Sequence, residues 1–169
     1  MNKLKNCKSA QLNIDRFNFP KLTWADFNAK PNQESRFYAY SYWKITYSYT
    51  STVSSNKVSV NINARCIFEK DRSWVKPEFM TQELLEHKQG HYYIGCLCAL
   101  AFKKRVKEAI LSKSTYKSQI KQIFNETLKE FLKLEKLYDE ETCHFYNQEK
   151  QKIWDRDLNR KMKNLFLYW

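Results

Sequence analysis

An α+β fold, with antiparallel strands first and a helical half after them, follows from three features of the chain. Apolar and polar residues alternate between positions 57 and 68. No glycine or proline interrupts the chain beyond Gly95. In that second half apolar residues recur every three or four positions.

The clearest strand comes from the alternation. Val58, Val60, Ile62, Ala64, Cys66 and Phe68 point one way, and Lys57, Ser59, Asn61, Asn63 and Arg65 the other, as in a half-buried strand. Residues 37–50 alternate in part, with Trp43, Ile45, Tyr47 and Tyr49 on one face. The polar connection 51–56 makes the two strands a hairpin. Residues 22–27, bracketed by Pro20 and Pro31, read as a short edge element. Three helical stripes follow: Leu84, His87, His91, Ile94, Cys98 and Ala101; then Ile120, Ile123, Thr127, Phe131 and Leu134; then His144, Gln148, Gln151, Trp154, Leu158, Met162 and Leu165. Asp139 is expected to cap the third helix, with Glu140 and Glu141 in its first turn and a break within 136–139.

A chain of 169 residues fits one domain, here 1–169 with 1–19 extended or poorly ordered. Apolar residues at 43% and aromatics at 16% exclude a disordered protein, and no stretch is long enough for a membrane span. Residues 1–18 contain no apolar core of a signal peptide, which leaves open an intracellular protein or an exported one whose leader was removed. The net charge of +12 suggests an anionic partner, but Lys103, Lys104, Arg105, Lys107, Lys113, Lys117, Lys121 and Lys129 fall at helical spacing and read as solvated faces. Five scattered cysteines form no disulfide framework; Cys98 reads as a small buried hydrophobe.

The chemistry lies in the three histidines. His87 and His91 are four apart on one helix face, where both imidazoles can share a metal. Such a site needs a further protein ligand, and the only other histidine is His144. Cys143 beside it is an alternative. A packed, hydrogen-bonded histidine pair is the structural reading of the same spacing.

Several blocks, in order, resemble a bacterial family of predicted secreted zinc-dependent proteases, catalogued as domain of unknown function 922. They are Leu-Thr-Trp-Ala-Asp-Phe at 22–27, Ser-Trp-Val at 73–75, Leu-Leu-Glu-His-Lys-Gln-Gly-His-Tyr at 84–92, Tyr-Asp-Glu-Glu-Thr-Cys-His at 138–144, and Gln151 to Trp154. The resemblance implies a zincin-like fold, zinc held by His87, His91 and His144, peptide-bond hydrolysis, and export.

Two departures bear on activity. Lys88 stands where the family has the glutamate of H-E-x-x-H, which takes a proton from the attacking water and passes it to the leaving amine. A lysine is normally protonated and repelled by a metal. Loss of a general base costs about a hundred- to ten-thousand-fold in rate. Phe145 stands where the family has glycine after the histidine.

Three readings of Lys88 compete: a pseudoprotease that keeps fold and metal, which is preferred; a substitute base, Glu141, since Glu86 lies on the wrong side of His87; and a lysine made neutral by burial and the metal. Tyr138 is either an oxyanion hydrogen-bond donor or a core residue. Asp139 either orients a histidine ligand or caps a helix. Gln148 and Gln151 either line the cleft or are solvated. Trp24, Trp74 and Trp154 read as packing residues.

The leading expectation is a zinc-binding, catalytically impaired metallopeptidase-like domain that holds a peptide or protein in the former substrate cleft. One alternative is an active zinc protease using another carboxylate. The other is a basic module for nucleic acid or anionic surfaces, which the absence of any nucleic-acid motif disfavours.

Overall fold

The structure, a computed structural model, describes residues 20–55 and 57–167; the expectation for residues 1–19 lies outside it. The order is four strands and then three helices, the α+β arrangement expected. β2 (Trp43–Val53) and β3 (Val58–Phe68) form the hairpin, antiparallel from Trp43↔Phe68 to Val53↔Val58. β1 (Ala39–Tyr40) pairs with β4 (Trp74–Val75) in a second, two-residue ladder. The segment at 22–27 is not a strand. Trp24–Asp26 is a 3-10 turn, closed by the Asp26 carboxylate accepting from the Thr23 backbone N–H at 2.8 Å.

The centre of the fold is α1 (Gln82–Glu108), started by the Thr81 hydroxyl, which accepts from Leu84 N. One side of it carries the hairpin and the other carries α2 (Tyr116–Thr142) and α3 (Gln148–Leu167). Its middle is therefore buried nearly all round: Ile94, Leu97, Cys98 and Phe102 are each at most 1% exposed. The inward face of the hairpin, as the alternation requires, meets it through Tyr47 against Phe102 (ring centroids 4.9 Å) and through Ile62 and Ala64. No described helix is long and apolar enough to cross a membrane.

The expected break within 136–139 is corrected. α2 runs unbroken through Asp139 to Thr142, because Tyr138 and Thr142, both fully buried, extend the apolar stripe of Phe131 by further turns. Asp139 is thus a helix-interior residue and caps nothing. The chain turns instead at Cys143, His144 and Phe145, whose φ values are 48°, 55° and 91°.

Gly90 is required where α1 crosses α2. A Cβ there would overlap the Tyr138 hydroxyl oxygen and fall 2.6 Å from ring carbon Cζ. Tyr138 cannot retreat, since its hydroxyl donates to the His87 carbonyl at 3.0 Å and accepts from Gln151 at 2.6 Å. Gly90→Ala is expected to lower stability by about 1–3 kcal/mol, read as an earlier urea midpoint, although alanine alone favours helix.

Candidate metal centre

His87 and His91 project from one face of α1, one turn apart, with ring centroids 4.8 Å apart. Facing them, α2 presents Glu135, Tyr138 and Asp139 at helical spacing, and α3 presents Gln151. Asp139 Oδ1 lies 3.1 Å from His87 Nε2 and 3.1 Å from His91 Nε2, and those two nitrogens are 3.2 Å apart. His87, His91 and Asp139 thus offer three ligand atoms all within 4.8 Å of one another.

The outer atoms of the rings are committed. His91 Nδ1 donates to Glu135 Oε1 at 2.9 Å, an oxygen that also accepts from Trp43 Nε1 at 2.9 Å and so ties the hairpin to the site. His87 Nδ1 donates to Gln151 Oε1 at 3.1 Å. The Gln151 amide cannot be turned around, because its Nε2 donates to the Asp155 carboxylate at 2.9 Å and to Tyr138. Both imidazoles are therefore protonated on Nδ1 and direct Nε2 inward.

Three electron-pair donors then face one another, with His87 fully buried, His91 6% exposed and the Asp139 side chain 31% exposed at the cleft. Without a cation, a single proton on His91 Nε2 must serve all three. The ionisation tendencies agree. Burial pushes the His87 pKa down to about 3. Burial also opposes charge on His91, but hydrogen bonds to Asp139 and Glu135 outweigh it and its pKa is raised. Burial alone would raise the Asp139 pKa; the histidine hydrogen bonds instead hold it well below the usual carboxylate range. A divalent cation satisfies all three atoms at once, so the residues fit a metal.

A pH dependence follows. The metal needs His91 neutral, so binding displaces its proton. Below the raised His91 pKa, apparent zinc affinity is expected to fall by about tenfold per pH unit, and above it to level off. Zinc titrations against a chelator across pH 5–9 would measure this. Gln151→Leu frees the His87 tautomer, and zinc affinity is expected to drop about 10–100-fold with stoichiometry unchanged.

His144 arrives from the turn after α2. Its Nδ1 is 3.2 Å from Asp139 Oδ1 and its side chain is half exposed, so it adjoins the trio through Asp139 without being one of its three members. Its ring packs edge-on against Phe37 at 5.5 Å. Phe145, at φ 91°, adopts a backbone conformation natural to glycine and strained for phenylalanine. Cys143, exposed with Sγ on the Glu140 carbonyl, stands outside the cluster.

The other candidates separate. Lys88 is buried, its pKa pushed down to about 8 by burial with Asp139 and Glu135 opposing, and it lines a cleft of about 600 Å³ shared with His91, Asp139, His144 and Trp43. Glu141 is not brought to that cleft: its carboxylate accepts from Trp154 Nε1 at 2.9 Å. The Tyr138 hydroxyl is spent on the His87 carbonyl, and its ring stacks on His87 at 4.7 Å, so it acts as a packing residue. Gln148 donates to the Phe145 carbonyl at the start of α3. Trp154 is buried, while Trp24 and Trp74 are partly so. Glu135 carried no signal of its own in the sequence, apart from lying four residues before Asp139.

Residues 17–145 match the family described as "Bacterial protein of unknown function (DUF922)". The chain belongs to the DUF922 family. No curated protein and no solved structure matches it. The DUF922 match spans His87, His91, Asp139 and His144 and stops before Gln151, so the residue that orients His87 comes from outside the matched stretch.

Proposed function

We propose that this DUF922 protein is a zinc-binding, metallopeptidase-like domain that has lost hydrolysis and holds a peptide or protein partner in the former substrate cleft. The observation that carries this reading is the convergence of His87 Nε2, His91 Nε2 and Asp139 Oδ1, each about 3 Å from the others, with the outer ring atoms pinned by Glu135 and Gln151. Two imidazoles and a carboxylate suit zinc, with His144 close enough to Asp139 to join or shield the site. Bound zinc would supply Lewis-acid polarisation of a ligand carbonyl or carboxylate.

The protein's own residues argue against hydrolysis. At the position of the general base, Lys88 presents an ammonium to the cleft. The substitute base, Glu141, is engaged with Trp154. Glu135 and Asp139 are occupied by the histidines, so neither is free to move a proton from water to a leaving amine. What remains is a cleft of about 600 Å³ with aromatic walls at Phe37, Tyr42 and Trp43, the size and lining of a ligand site. The test is a zinc titration beside a peptidase assay on labelled casein. About one zinc per chain with no zinc-dependent cleavage is expected. Cleavage that a chelator abolishes would overturn the loss of hydrolysis.

A further inference from the structure

Among the described residues two lysines are buried, and they differ. Lys76 is 9% exposed, and its Nζ donates to the carbonyls of Ser35 at 2.8 Å and Gln33 at 3.3 Å. It is a satisfied structural cation that holds the loop leading to Phe37. Lys88 is 8% exposed, yet its ammonium makes no hydrogen bond or ion pair with any described residue. Asp139 and Glu135 act on it only through space. It lines both the main cleft and a second cavity of about 250 Å³, each of which His144 also lines.

Among the described residues no fully buried side-chain nitrogen lacks a partner, so the Lys88 ammonium, on an otherwise buried side chain, opens onto the cleft. The other cations on the cleft wall are already paired, Lys44 with Glu69 at 2.6 Å and Lys136 with Glu140 at 3.7 Å. The nearby carboxylates serve the histidines. Lys88 is therefore the uncommitted charge of the cleft among the described residues, beside a centre that gains further positive charge once a divalent metal is held by two neutral imidazoles and one carboxylate. In the main cleft Lys88 stands without a guanidinium, Arg36 lining only the second cavity, and a single ammonium there suits a singly charged carboxylate. The aromatic walls suit an apolar body behind that head.

We propose that Lys88 is an anion-binding residue and that the cleft takes a peptide by a carboxylate seated on the Lys88 ammonium, beside the cluster of His87, His91 and Asp139. This rests on the reading of the cleft as a peptide site. It gives the lysine a positive role in place of the missing base.

The test is calorimetry on the full chain, zinc-loaded and zinc-free, with three acetylated tetrapeptides of one apolar sequence. The first has a free C-terminal acid, the second a C-terminal amide, and the third the amide with one internal glutamate. A carboxylate peptide is expected to bind at least about tenfold tighter than the neutral amide. The preference should vanish in Lys88→Met, or in Lys88→Gln if the first variant does not fold by circular dichroism. Preference for the free acid assigns a chain terminus, and preference for the glutamate peptide a side chain. Equal affinities, no binding of any peptide at millimolar concentration, or a preference that survives loss of the charge would overturn the proposal. Zinc content is measured in the same samples. A carboxylate preference without zinc would sink the metal reading and leave this one standing. One zinc per chain without the preference would do the reverse.

Discussion

His87→Ala and Asp139→Ala are each expected to lower zinc affinity by more than about a hundredfold, and His144→Ala by about tenfold or less. The ranking follows from position. His87 is fully buried, with Nδ1 pinned to Gln151, so its Nε2 is fixed before any metal arrives. Asp139 Oδ1 is the atom on which all three histidines converge, at 3.1, 3.1 and 3.2 Å. Its removal leaves two imidazoles without the carboxylate that completes the three-atom ligand set. His144 is half exposed and sits in a turn of three residues with positive φ, so ordering it costs more and its loss exposes less. Competition with a chromophoric chelator measures all three. If His144→Ala proved the most damaging, the centre would be the three-histidine site read from the sequence, with Asp139 behind it.

Lys88→Glu is expected to produce zinc-dependent peptidase activity at least about a hundredfold above the parent. Residue 88 lines the main cleft beside His91 and Asp139, so a carboxylate there would stand next to the centre. The substitution also replaces an unpaired ammonium on the cleft wall with a group that a metal attracts. Its cost is a third carboxylate near Asp139 and Glu135, so Lys88→Glu should need zinc for stability more than the parent does. Activity in the variant, absent again after chelation, would place the loss of function at one residue. A zinc-loaded but inactive variant would mean that the cleft has changed elsewhere. Phe145 is then the first suspect, because it lines the second cavity beside Lys88 and holds a glycine-like backbone conformation.

The elements that alternate or repeat were legible. The hairpin faces, with Val58, Ile62 and Ala64 inward, follow from a period of two, and the α1 stripe through His87 and His91 from a period near four. The two-residue strands β1 and β4 were not, since a pair of residues carries no period. Asp139, Glu140 and Glu141 misled for a physical reason: acidic residues after an apolar run suit a helix start as well as a helix end facing solvent. Once α2 is broken there, Glu135 and Asp139 no longer share a face, and the two carboxylates that hold the histidines disappear from the reading. Gln151 was hidden differently. A glutamine on an amphipathic helix looks solvated until α3 is laid against α1, when it becomes 1% exposed and fixes a tautomer. Lys88 was visible from the start as a departure. Its isolation from every described carboxylate appears only in three dimensions.

The central claim is that His87, His91 and Asp139 together hold one metal ion. X-ray absorption at the zinc edge, on untagged protein given one equivalent of zinc, tests it most directly, with His87→Ala and Asp139→Ala as references. The expected result is one tightly held zinc per chain whose shell contains two imidazoles and carboxylate oxygen, and which either substitution disrupts. A protein that takes up no zinc, or holds it with a shell that both substitutions leave unchanged, would contradict it.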